Sequence, residues 1–183
     1  MTDLSPTGRV ILGMLALGNR TGYEIKQVVD KSTRRFWAAS YGQIYPELRR
    51  LEDQGLVRSR AEPSGGRART AYELTETGES ALRDWLASDK ELVYEVRDEG
   101  LLKLFFSDSL PERRLENIRA MRALQQRKLS QLRAIQQKAD QMHDGPRMTL
   151  ELGISITERI IEWCESAERR LAEEQSHALE PRN

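Results

Sequence analysis

Cysteine occurs once in this chain, at Cys164, so no intrachain disulfide can form and no multi-cysteine zinc site can be built. A reducing, cytoplasmic setting fits that usage. Histidine is nearly as scarce: His143 and His177 stand apart in polar segments, neither with a Cys or His neighbour at metal-ligand spacing, so no metal or other cofactor is expected. No stretch approaches the roughly 18 uninterrupted apolar residues of a membrane span. The start, Met1-Thr2-Asp3-Leu4-Ser5-Pro6, has neither the basic nor the apolar region of an export signal. There is also no phosphate-binding glycine-rich motif, no nucleophile elbow and no paired histidine, and the carboxylates are spread as solvated helix faces. An enzyme is not expected.

Net charge is absent as well, with 29 Lys and Arg against 29 Asp and Glu, but the charges are unevenly placed. Residues 1–72 hold 12 cations against 7 anions, a balance of +5, which leaves 17 against 22, or −5, for residues 73–183. At 183 residues the chain is long enough for one domain, or two small ones, to bury a core without staples.

The basic part contains the most informative stretch. Ile44, Leu48 and Leu51 recur at i, i+4, i+7, one apolar stripe of a helix, while Gln43, Glu47, Arg50 and Gln54 fall on other faces. Gly55 sits where a helix ends in a left-handed residue, and Leu56-Val57-Arg58-Ser59-Arg60 switches to extended character. Pro63-Ser64-Gly65-Gly66-Arg67-Ala68-Arg69 is then a turn with two cations, and Thr70-Ala71-Tyr72-Glu73-Leu74 a second strand. A short helix followed by a basic-tipped two-stranded ribbon is how a winged helix-turn-helix presents itself to DNA.

Upstream, Ser5 or Thr7 caps a helix with Pro6 in its first turn, its buried side supplied by Val10, Ile11, Met14, Leu15 and Leu17. Gly18-Asn19 ends it. Thr21-Gly22 opens a second helix whose packing face includes Tyr23, Ile25, Val28 and Val29. Residues 31–39 read as a loop holding Phe36 and Trp37. Downstream, Thr75 starts a fourth, linking helix with Leu82, Trp85 and Leu86 on its buried face. An apolar patch follows, Gly100-Leu101-Leu102-Lys103-Leu104-Phe105-Phe106. A long helix then runs from Pro111 to Met142 with a narrow seam at 115, 118, 121, 124, 129, 132, 135, 139 and 142, broken in register between Leu124 and Leu129. Gly145-Pro146 interrupts it, and Leu152, Ile156, Ile160, Trp163, Ala167 and Leu171 mark one more amphipathic helix. Residues 173–183 are polar and read as frayed.

The fold expected is therefore mainly α: a winged helix-turn-helix of three helices and a two-stranded wing over residues 1–88, a helical dimerisation domain over 89–178, and a frayed tail over 179–183. Two long amphipathic helices leave apolar stripes that a second copy covers economically, and a two-fold protein reads a two-fold operator. A homodimer on double-stranded DNA, with no membrane partner, is the expectation.

Gly22-Tyr23-Glu24-Ile25, Trp37, Ser40-Tyr41-Gly42-Gln43-Ile44-Tyr45-Pro46, Leu48, Leu51-Glu52, Gly55-Leu56-Val57, Gly66-Arg67, Tyr72, Leu74-Thr75 and Gly78 together resemble the PadR family of transcriptional regulators. The 101–106 patch and the helix pair resemble, more loosely, the dimerisation half of its longer members related to virulence activators. The resemblance implies a cytoplasmic DNA-binding dimer, usually a repressor, sometimes released by a small aromatic ligand held between the halves of the dimer.

Proline is tolerated only in a helix's first turn, so the helix carrying Pro46 should begin close to residues 40–45. Ser40, Tyr41, Gly42 and Gln43 then lie at the end that attracts phosphate. Gln43 suits an adenine edge, Arg49 or Arg50 a phosphate or guanine. Arg67 and Arg69 suit the minor groove. With Tyr23, Tyr45 and Gly66 these make up the expected DNA-contacting set. Trp85, Phe105 and Trp163 are candidates for an effector pocket, against the plainer reading as packing residues. Cys164, on an apolar helix, is expected to be inert. Two alternatives remain open: a protein-interaction adaptor without DNA binding, and activation in place of repression.

Overall fold

Ser5 starts the first helix. Its side chain accepts a hydrogen bond from the Gly8 amide at 2.9 Å, and Pro6 takes the first helical position, where no amide proton is required. Helix α1 runs Pro6–Ala16 and buries Ile11, Leu12, Met14 and Leu15; Leu12, absent from the expected face, is fully buried, whereas Leu17 lies at the exposed edge. The structure is a computed structural model, and it describes residues 4–33, 36–37, 41–62, 69–89, 91–92, 94 and 96–179, with the backbone alone at 41 and 175–179. Expectations placed on Ser40, Gly66 and Arg67 lie outside those residues.

Thr21 opens α2 (Gly22–Lys31) with a reciprocal capping box: its hydroxyl accepts from the Glu24 amide while the Glu24 carboxylate accepts from the Thr21 amide. The helix packs through Ile25 and Val29. Tyr23 does not join that face. It is 57% exposed, because position 23 points one-third of a turn away from the stripe set by 25 and 29.

Helix α3 (Tyr41–Asp53) carries the predicted stripe, with Ile44, Leu48 and Leu51 all at 0% exposure. Each contributes roughly 1.5–3 kcal/mol by burial. Gly55 ends it at φ +69°, a conformation favouring glycine. Strands β1 (Val57–Glu62) and β2 (Arg69–Leu74) pair antiparallel, Val57 opposite Leu74 and Glu62 opposite Arg69. Thr21 adds a bridge to Ala71 on the outer edge of β2. Thr75 then caps α4 (Glu76–Leu86) and its hydroxyl donates to the Gly55 carbonyl at 2.6 Å. Gly78 in that first turn passes so near β1 that a Cβ would stand 1.9 Å from the Leu56 carbonyl oxygen. Of the expected buried face of α4 only Leu82 is buried; Trp85 is 38% and Leu86 67% exposed. These elements close on one core from Leu4 to Leu82 in a first compact unit, Met1–Leu92.

The second unit, Val93–Asn183, is built of α5 (Glu99–Phe105), α6 (Arg114–Gln136) and α7 (Asp144–Leu179). Asp98 caps α5 by accepting from the Gly100 and Leu101 amides. Helices α6 and α7 run antiparallel: Ile118 and Met121 meet Cys164 and Ala167, while Leu132 meets Leu150 and Ile154. Ion pairs flank the seam, Arg122 with Glu168 at 2.7 Å and Arg133 with Glu158 at 2.8 Å.

Four details differ from expectation. The long helix ends at Gln136, not Met142, and a short 3-10 turn at Ala139–Gln141 leaves Met142 extended so that it folds onto the Leu132–Leu150–Ile154 cluster. Gly145 and Pro146 fall inside the first turn of α7, where proline lacks no needed bond. Helix α7 faces its partner with Leu150, Ile154, Thr157, Ile161, Cys164 and Ala167, so Leu152, Ile156 and Trp163 form a second, exposed apolar face. The chain also stays helical to Leu179, since Ala172, Glu173 and Glu174 are good helix formers and nothing interrupts them. Among the described residues no helix is long and apolar enough to cross a membrane.

Candidate nucleic-acid interface

With Ile44, Leu48 and Leu51 inward, α3 turns Gly42, Gln43, Tyr45, Pro46 and Arg49 outward. The helix begins at Tyr41, inside the expected window, yet Pro46 lies one turn deeper than a first-turn proline. It cannot donate to the Gly42 carbonyl four residues back, and that exposed carbonyl is left to solvent. The first-turn amides of α3 and the bare backbone at Gly42 thus share one exposed end, the geometry that accepts an anion such as a phosphate.

Tyr45 stands against the start of α2. A Cβ on Gly22 would come 2.7 Å from Tyr45 Cε1, so glycine permits the close crossing of the two helices. Tyr23 is exposed on the first turn of α2, its hydroxyl accepting from Gln27 Nε2 at 2.7 Å.

The two adjacent arginines of α3 divide. Arg49 is exposed. Arg50 forks onto Glu47, Nε to Oε2 at 3.1 Å and Nη2 to Oε1 at 2.8 Å, while Ser5 Oγ donates to the same Oε1 at 2.5 Å. Burial pushes the Glu47 carboxyl upward, but the bonds from Arg50 and Ser5 outweigh it and hold the group below the ordinary carboxylate range. Glu47 thereby ties the outward helix to the cap of α1, and Arg50 serves that tie.

The wing is fastened at its root. Ser59 N donates to Glu52 Oε1 at 3.0 Å, and Tyr72 N donates to the Arg20 carbonyl at 2.7 Å. On the strands Arg58 pairs with Glu73 at 2.6 Å, and Glu62 receives Arg60 at 2.9 Å and Arg20 at 3.3 Å. Arg69 is exposed where β2 begins, next to the tip. Helix α3, the start of α2 and the wing root therefore form one braced surface. Of its expected members, Tyr23, Gly42, Gln43, Tyr45, Arg49, Arg50 and Arg69 lie on described elements, as does the backbone of Tyr41.

Sequence reading missed the braces. The Thr21-x-x-Glu24 capping box carries a readable signature; the Ser5–Glu47 and Glu52–Ser59 bonds join distant positions and carry none.

The effector candidates do not share one surround. Trp85 belongs to the first unit, with the Arg9 guanidinium 5.7 Å from its ring centroid. Phe105 and Trp163 belong to the second, 79% and 42% exposed, and Phe105 meets Phe106 edge to face at 5.1 Å. Cys164 is fully buried, and burial pushes its thiol up.

Residues 11–84 match the profile of the transcriptional regulator PadR-like family, and residues 96–172 match that of the virulence activator alpha C-terminal region. The negative transcriptional regulator PadR of Bacillus subtilis is 37% identical over 101 residues, 55% of this chain and 56% of that protein, so the chain spans about half the length of this curated relative. The crystal structure of B. subtilis PadR in complex with operator DNA superposes with a TM-score of 0.80 at 29% identity, covering 89% of this chain and 97% of that one. The same protein in complex with p-coumaric acid gives 0.77 at 27% identity, covering 92% and 99%. The winged first unit and the long-helix second unit each carry their own match, and the chain belongs to the PadR-like family of transcriptional regulators, with a virulence activator alpha C-terminal region.

Proposed function

We propose that this protein is a sequence-specific DNA-binding repressor that acts as a homodimer on a palindromic operator and is released by a small aromatic ligand. The observation that carries the reading is the braced surface of the first unit, where the anion-accepting start of α3, Gln43 and Arg49 face outward beside a wing tipped by Arg67 and Arg69. Gln43 reads a base edge, Arg49 and the wing arginines neutralise phosphate, and Tyr23 and Tyr45 flank them. The DNA-binding part is assigned to residues 1–88, dimerisation to 89–178, and the tail to 179–183.

The exposed apolar residues of the second unit, Leu101, Leu102 and Phe105 on α5 with Leu152, Ile156 and Trp163 on α7, support dimerisation, since such faces on one protein are covered by a partner. The operator DNA and p-coumaric acid bound to the B. subtilis relative support the operator and the aromatic ligand. Action on DNA places the protein in the cytoplasm.

Fluorescence anisotropy tests the reading, with the DNA upstream of the protein's own gene against scrambled DNA of equal length at two salt concentrations. Tight, salt-sensitive preference for the native fragment is expected. With six phosphates neutralised per dimer, log affinity falls with log salt at a slope of about −5. Equal affinity for both fragments at both salts would overturn sequence specificity, and absence of binding even at low salt would favour the adaptor.

A further inference from the structure

In the second unit the positions of α6 that face inward run 118, 125, 132, seven residues apart, and the middle one is a glutamine. Gln125 is 8% exposed, and its Oε1 has no hydrogen-bond partner among the described residues. It lines a groove of about 220 Å³ between the start of α5 and the first half of α6. Ala120, Met121 and Leu124 make the apolar wall, and Asp98, Glu99 and Lys103 stand at the α5 side.

A buried amide oxygen left bare needs an explanation. Water is a poor one here, because an ordered buried water takes two to four polar partners, about three on average. The groove's carboxylates are engaged elsewhere: Asp98 Oδ1 accepts from the Gly100 and Leu101 amides, and Glu99 pairs with Lys103 at 2.8 Å. Asn117 is two helical turns from Gln125, about 12 Å along the axis, too far to share one water. What surrounds the amide is otherwise apolar.

We propose that this groove binds a one-ring amphipathic molecule through a single neutral or cationic hydrogen-bonding head, anchored on the Gln125 amide. Size sets the ring count, since a cavity of about 150 Å³ already admits benzene. Charge sets the head. Two carboxylates against one ammonium leave the α5 side with an excess negative charge, which disfavours a carboxylate ligand. As an effector site the groove rests on the regulator reading; as a binding site it does not.

The test uses the full chain labelled with ¹⁵N and methyl-¹³C, titrated with benzyl alcohol, benzylamine and benzoate, three probes of one shape and different charge. Saturable shifts of the Gln125 side-chain amide and the Met121 methyl are expected at millimolar alcohol and amine, with benzoate weaker by about tenfold or more. Gln125→Leu, close in volume and lacking the amide, weakens the alcohol by roughly threefold or more, and Ala120→Leu, at an exposed position, blocks the groove without touching the core. Shifts that never saturate, equal binding to Gln125→Leu, or preference for benzoate would overturn the proposal. Failure of DNA binding with intact probe binding would instead sink only the regulator reading.

Discussion

Glu47 is where stability and DNA affinity should part company. Its side chain is 13% exposed and accepts three hydrogen bonds, one from Ser5 and two from Arg50. The bond from Ser5 to a mostly buried carboxylate contributes about 1.5 kcal/mol. Arg50 is 42% exposed, so its pairing, discounted for solvent, adds at most about 1 kcal/mol. Glu47→Ala therefore costs about 2–3 kcal/mol, a fall of roughly 10–15 °C in the Tm of the first unit. Glu47→Gln keeps the shape and both acceptor contacts without the charge, and costs about 1 kcal/mol. A double-mutant cycle of Ser5→Ala with Glu47→Ala should show coupling of about 1–1.5 kcal/mol. The same substitution releases the Arg50 guanidinium on the outward helix and removes one negative charge, so binding to random DNA tightens and its salt slope steepens by about one per subunit. Calorimetry and anisotropy on one set of variants check both halves. A Glu47→Ala protein with unchanged Tm, or one that loses affinity for random DNA while remaining folded, would refute the reasoning.

Acid should weaken the first unit through the same group. The Glu47 and Glu24 carboxyls sit below their ordinary values, Glu24 chiefly through the backbone amide of Arg20, so the unfolded chain binds protons more readily than the folded one. Their stabilisation is complete above the ordinary carboxylate range and is lost as pH falls through and below it; urea midpoints should drop there, and Glu47→Gln should flatten the profile. Gly78→Ala, whose Cβ would overlap the Leu56 carbonyl, should cost more than about 3 kcal/mol, whereas Gly55→Ala should cost only about 1–2 kcal/mol for its positive φ; urea titration separates them. Cys164, buried with its thiol raised, should resist a thiol reagent at neutral pH and react once urea unfolds the second unit.

Much of the first unit was legible because its signals are local. Ser5-Pro6, the 44, 48, 51 stripe, Gly55 and the alternation of β1 each name their structure within one or two turns of chain. Tyr23 was misplaced because an aromatic beside Ile25 reads as core, although its position on the helix points it to solvent. The second unit was harder for a definite reason. Helix α7 is apolar on two sides, and Leu152, Ile156 and Trp163 spell as regular a stripe as the buried one. Gln125 escaped for the opposite reason, since a polar residue interrupts a hydrophobic count even when the seven-residue spacing from Ile118 to Leu132 passes through it. The brace from Glu47 to Ser5 spans most of the first unit's sequence, and no pattern within either helix announces it.

The claim that the exposed face of α3 reads bases while the wing holds phosphate is tested most directly by anisotropy of Gln43→Ala and Arg67→Ala on operator and random DNA across salt. Gln43→Ala should lose discrimination, by about 1–3 kcal/mol on the operator with little change on random DNA, and Arg67→Ala should weaken both and flatten the salt slope. Equal losses on both DNAs for the two variants would contradict the account.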